Sequence, residues 1–159
     1  MSVYDDPPWV RRYVGVPFAA SGFDFDGWHC WGLVWRAFHD EKAIDLPRHG
    51  PLSASDILAA ARAIRSAKAL PPWQAVALPG DGEPNEAFAR RVRRGFHARA
   101  FDVATMFDGD AARESHVGLM IGPRRLIHVE ERAGTVKADL LDPSIAWRLT
   151  GIYRHEALA

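Results

Sequence analysis

The stretch Gly27-Trp28-His29-Cys30-Trp31-Gly32-Leu33-Val34-Trp35-Arg36-Ala37-Phe38 decides how this chain is read. Cys30, Leu33, Val34, Ala37 and Phe38 fall at i, i+3, i+4, i+7 and i+8, the spacing of one buried helical stripe. A helix is therefore expected from about Cys30 to Glu41, with Cys30 on the core-facing side of its first turn. Cys30 is the only cysteine, so it has no disulfide partner within the chain. A lone thiol in that place is buried filler, a metal ligand or a nucleophile.

Outward from this helix, the N-terminal arm up to Gly27 is irregular, broken by Pro7, Pro8 and Pro17, and residues 1–12 read as a loosely ordered arm. A second helix is expected over Ser55–Leu70, with Ser53 and Asp56 resembling a capping box and Pro71-Pro72 stopping it. A third fits Pro84–Arg94, with Glu86 in its first turn and Gly95 after its end. From Ala98 the period becomes two. Strands are expected at Ala100–Phe107, His116–Ile121, Leu126–Glu130, Thr135–Ala138 and Trp147–Arg154. Helices followed by antiparallel strands give an α+β fold, a helix laid on a sheet, and 159 residues suit one domain over 1–159.

Charge is balanced, 20 basic residues against 20 acidic, so no overall field favours nucleic acid. Arg90, Arg91, Arg93 and Arg94 fall in the last turn of the third helix, where positive charge complements the dipole, and read as a solvated helix end. The opening MSVYDDPPWV has neither a basic nor an apolar signal region, and no window approaches the ~18–20 apolar residues of a membrane span. The expectation is a cytoplasmic product without a signal peptide or membrane insertion.

Two histidines stand in the strand half. His116, Gly118 and Met120 share one strand face, while Val117, Leu119 and Ile121 form the other, core-like face. A connection of five residues would place His128 opposite Gly118 and diagonal to His116; a four-residue one would turn it to the other side. The odd parity is the expectation. Given it, a thiol-protease site follows. The helix N-terminus favours the thiolate of Cys30, His116 exchanges its proton, and His128 holds the other imidazole nitrogen. The site fails if the thiol is sealed in apolar packing or the two rings point to opposite sides of the sheet.

The motifs resemble those of the NlpC-type cell-wall cysteine peptidases, which have a pared-down papain-like fold. Tyr13-Val14-Gly15-Val16-Pro17-Phe18, His29-Cys30-Trp31-Gly32-Leu33-Val34, His116-Val117-Gly118 and Ile127-His128 carry the resemblance, from about Tyr13 to Arg154. It implies Cys30 as nucleophile, His116 as general base and acid, and His128 as orienting residue, with no cofactor. Tyr13, His29 and Trp31 match positions that border the substrate. The implied substrate is a peptidoglycan stem peptide, cut near D-glutamate and diaminopimelate. Trp31 after the cysteine and the Ile44-Asp45-Leu46-Pro47 run are similar to the branch found in phage tails and gene transfer agents. That implies tail or baseplate partners and action at the bacterial cell wall. His29 departs from the family's aspartate, and an imidazole does not supply that fixed negative charge. Phe101-Asp102 likewise replaces a Gly-Asp that opens a strand.

Two rival readings accompany this one. A structural tail component would keep the fold without hydrolysis. A zinc module would draw on Cys30, His116, His128 and His29, although no close ligand pair is present. Trp28, Trp31 and Trp35 line up from the loop into the helix and would pack, line a cleft or dock a partner.

Overall fold

Helix α1 (Cys30–Lys42) begins at the cysteine, as the periodicity requires, in a computed structural model that describes residues 5–48, 72–107 and 114–159. His29 is its N-cap: the backbone is extended there, and Nδ1 accepts the Gly32 N–H at 3.0 Å. At the other end Ala43 adopts a left-handed conformation, φ 54°, a role more often given to glycine. Leu33, Val34, Ala37 and Phe38 are fully buried, as the stripe predicts, and Trp31, Gly32 and Trp35 are buried as well. The helix is enclosed on more than one side.

The enclosure on one side is a six-stranded antiparallel sheet. Its strands are β3 (Trp73–Ala77), β4 (Val103–Phe107), β5 (Glu114–Met120), β6 (Arg125–Glu130), β7 (Gly134–Asp139) and β8 (Leu149–His155), in the order β3-β8-β4-β5-β6-β7. Five strands lie where alternation places them. The sixth, β3, is a short alanine-bearing run directly after a proline pair and pairs only with β8. Two ladders of apolar side chains use the two faces. Val117, Leu119, Ile127 and Val129 join the α1 residues in one cluster; Ala104, Met106, Met120 and Leu126 join a second. The second is covered by α2 (Asn85–Gly95), through Phe88 and Val92, and by the single turn α3 (Pro143–Ala146), through Ile145. Both faces of β5 are therefore core, where the sequence pointed to one.

Helix α2 follows Pro84 and has Glu86 in its first turn. Gly95 is its last residue rather than the first beyond it, and Phe96 takes the left-handed position, φ 51°. The helix expected over Ser55–Leu70 lies outside the described residues. No helix among the described residues is long and apolar enough to cross a membrane.

On its outer side α1 meets the N-terminal arm. A two-stranded ribbon, β1 (Phe23–Asp24) and β2 (Gly27–Trp28), pairs Phe23 with Trp28 and lies on the helix. Residues Pro8–Arg12 form a 3-10 turn with Val10 buried, and the Trp9 ring stands 4.8 Å from Phe101. The loosely ordered arm expected over 1–12 is thus corrected for this turn: Trp9 and Val10 bring apolar surface that is stable only when covered. The arm also bonds to β7, with Gly15 N–H to Thr135 O at 2.8 Å and Thr135 N–H to Val16 O at 2.9 Å. Asp6 reaches Arg125 at 2.8 Å and Lys137 at 3.0 Å.

The arm comes close enough to the helix start to make one glycine obligatory. A Cβ on Gly32 would lie 2.1 Å from Gly22 O and 2.9 Å from Trp28 Cβ. Both are backbone or near-backbone atoms that cannot swing aside. Gly32→Ala is expected to destabilise the fold by about 3 kcal/mol, at the upper end of overpacking costs, read as a lower urea midpoint at unchanged slope.

Candidate active site

The two strand histidines come together. Leu119 pairs with Ile127 and Met120 with Leu126, so the connection between the last paired residues is odd in length and His128 falls across from Gly118. Nε2 of His116 lies 3.2 Å from Nδ1 of His128, with the rings nearly perpendicular and their centroids 5.4 Å apart. The room beside Gly118 is taken: a Cβ there would meet Leu126 Cδ1 at 2.5 Å. A bulge precedes His116, because Met106 pairs with His116 while the next pair is Phe107 with Glu114, leaving Ser115 over. Bulges of this kind bend a strand and re-aim the neighbouring side chain.

Both rings are buried, His128 at 1% exposure and His116 at 8%. Burial pushes the pKa of His116 well below the usual imidazole value, and the neighbouring His128 and the Arg148 guanidinium push it the same way. His128 is held down to about 4, by burial first and Arg148 second, with Asp142 acting in the opposite direction. At neutral pH the pair is therefore held in its uncharged form. That is the state required of a base.

Cys30 is the first residue of α1, only partly buried, and packs against the cluster on the α1 face. It is not sealed in the core, and the helix it opens lies against β5 and β6, the two strands that carry the histidines. The histidines have the parity of Met120 and Leu126, so they stand on the strand face that α3 covers. On that side an open cleft of about 480 Å³ is lined by His128, Glu130, Lys137, Asp142, Trp147 and Arg148, among others.

The three residues expected to border the substrate are buried. Tyr13 is fully buried, and its hydroxyl donates to Glu41 at 2.9 Å, at the far end of α1 from Cys30. Trp31 is buried, and its indole N–H donates to Pro47 O at 2.8 Å. His29 is 2% exposed and spends Nδ1 on capping the helix, with Phe23 edge-on at 4.9 Å. These buried side chains fasten the fold around Cys30. Trp28 and Trp35 are buried in the same way, their indole N–H groups donating to Thr135 Oγ1 and Leu46 O, so this tryptophan row is part of the packing around α1.

His29 makes a measurable signature. Burial lowers its pKa from 6.5 to about 4. A depressed histidine adds stability that is complete above pH 6.5 and disappears as the pH falls through about 4, up to about 3 kcal/mol. His29→Asn keeps a capping oxygen but does not titrate. Its urea midpoint is expected to fall less than that of the parent between pH 6.5 and 4.

Sequence reasoning missed Glu130, Asp142, Trp147 and Arg148. Glu130 was within reach, two residues after His128 on the same face. Arg148 was not, since only the α3 turn brings it to the histidines, where it is held by Phe107 O at 2.8 Å and Ser144 O at 3.3 Å. The histidines aim Nε2 and Nδ1 at one another, and among the described residues no group of three His, Cys, Asp or Glu is arranged to hold a metal ion.

The fold has solved counterparts. A lipoprotein-like NLP/P60 family protein from Staphylococcus aureus superposes with a TM-score of 0.54 at 19% identity, covering 91% of this chain and 38% of its own. An NlpC/P60 family protein from Bacillus cereus gives 0.55 at 19% identity, covering 95% and 41%. This chain has the NlpC/P60 fold. It spans about two fifths of the length of those two proteins. No family model matches its sequence, and no curated protein does. The NlpC/P60 fold is the α+β, papain-like architecture expected from the motifs, with a helix headed by cysteine against an antiparallel sheet.

Proposed function

We propose that the chain is a cysteine peptidase acting on peptidoglycan stem peptides, with Cys30 as nucleophile, His116 as base and acid, and His128 as orienting residue. The observation that carries this reading is the His116–His128 bond, which occupies Nε2 of His116 and leaves Nδ1 for a thiol. The mechanism requires Sγ of Cys30 to reach that Nδ1. The bulge at Ser115, which re-aims His116 relative to the rest of β5, supports it. Cys30 gives its proton to His116, and the sulfur adds to the scissile carbonyl. The helix N-terminus and the Cys30 N–H stabilise the oxyanion. His116 then protonates the leaving amine, the C–N bond breaks, and water hydrolyses the thioester with His116 again as base.

The finer reading keeps a phage-like tail as the setting, with tail or baseplate proteins as partners and delivery to the cell wall within the particle. Trp31 after the nucleophile and Ile44-Asp45-Leu46-Pro47 support that setting. The bond cut lies near D-glutamate and diaminopimelate. A second reading, a non-hydrolytic structural component, is favoured by one feature: a neutral capping imidazole at His29.

The deciding experiment is mass spectrometry of material released from purified sacculi. Wild type is expected to release stem-peptide fragments and Cys30→Ala none. No fragments from wild type, alone or within an assembled particle, would leave the structural reading.

A further inference from the structure

The histidine pair has charged neighbours that the proposed mechanism does not use. Glu130 Oε1 lies 3.3 Å from His128 Nδ1, the same nitrogen that meets His116 Nε2 at 3.2 Å. The same oxygen lies 3.6 Å from Nη1 of Arg148. Arg148 is buried, its side chain 8% exposed, and is fixed by Phe107 O and Ser144 O, so its cation stays beside the imidazoles. Glu130 is 43% exposed and reaches in from the cleft side. Asp142 caps α3 through Ser144, and Lys137, across on β7, is held by Asp6. Cys30, on α1, supplies the proton on the proposed reading.

The geometry points to Glu130 as a positioning residue and counter-charge: it offsets Arg148 and balances the single positive charge that the His116–His128 pair acquires when the thiol hands over its proton. The reasoning is electrostatic. Two imidazoles bonded ring to ring share one proton readily, but a buried cation next to them opposes the charge. A carboxylate touching both the pair and the cation removes that opposition. Its exposure leaves it able to turn, so it balances the charge of the pair only while it is turned inward. This rests on the proposed thiol chemistry for its purpose, though not for its test.

The test follows the imidazole proton signals of His116 and His128 through a pH titration in Cys30→Ala, in which no thiol contributes. Glu130→Gln is expected to lower the midpoint of the pair by about one pH unit, and Glu130→Asp to restore part of it. Arg148→Met is expected to raise the midpoint, and adding Glu130→Gln to Arg148→Met to lower it again. That second comparison keeps the question open to refutation if acid unfolds the parent before its pair titrates. Dispersed amide signals confirm folding at each pH. With Cys30 present, Glu130→Gln should slow iodoacetamide labelling at pH 6 about tenfold, with little change at pH 9.5. A midpoint unmoved by Glu130→Gln in both backgrounds overturns the inference even where wild type cuts sacculi. A lowered midpoint in a protein that cuts nothing upholds the charge device and removes the peptidase reading.

Discussion

Replacing His116 by alanine is expected to lower turnover of stem peptides about a thousandfold, within the range for loss of a general acid–base group. It should also slow iodoacetamide labelling of Cys30 at pH 6, because the base that takes the thiol's proton is gone. The two measurements together separate chemistry from folding. Alanine at His116 removes a ring that burial already keeps neutral, so the loss of side-chain charge costs the fold nothing at pH 7. His128→Ala should cost less, since it leaves Nδ1 of His116 intact and removes only the bond at Nε2. Activity within tenfold of wild type in His116→Ala, measured on sacculi by fragment release, would show that another group moves the proton.

The largest stability effect is expected at the start of β4, away from the histidines. Asp102 is 1% exposed, and Arg154 on β8 grips it twice, through Nε and Nη2, each at 2.7 Å. The Arg99 N–H adds a third bond at 3.0 Å. Arg154→Met leaves this carboxylate buried with no cation, which costs about 3–5 kcal/mol. Adding Asp102→Leu should recover most of the loss, because the uncompensated charge, not the missing bond, is the main penalty. Urea midpoints of the two single variants and the double variant check the sign. A double variant no more stable than Arg154→Met would refute the charge account.

What the sequence disclosed, and what it withheld, follows from the range of each signal. The α1 stripe is a local periodic pattern, and it places the helix start at Cys30 and the fully buried set Leu33, Val34, Ala37 and Phe38. The His116–His128 contact follows from parity alone, since a connection of odd length leaves only one side for both rings. Neighbours in sequence are a poorer guide to who meets substrate. His29 and Trp31 flank the cysteine, yet an N-cap must turn inward and an indole finds its acceptor at Pro47, so both are withdrawn from the surface. Tyr13 is taken by Glu41 for a similar reason. Residue type also concealed a backbone feature. Phe101 has φ 73°, a conformation that suits the glycine it replaces, and it is held by Trp9 and Phe38 around its ring. Arg148 depends on a turn of four residues bringing two distant segments together, and no pattern in the chain announces that.

The bonds from Gly15 and Val16 to Thr135 have a bearing on how this protein behaves in a crowd. Strand β7 ends the sheet, and an uncovered terminal strand is a template on which a second molecule can add its own. The arm occupies part of that border from within the same polypeptide, while Asp6 holds Lys137 farther along it. Solubility and the setting of Cys30 therefore share one fastening. A chain shortened ahead of Val16 loses its guard against strand-to-strand stacking in the same cut that bares the outer flank of the cysteine helix.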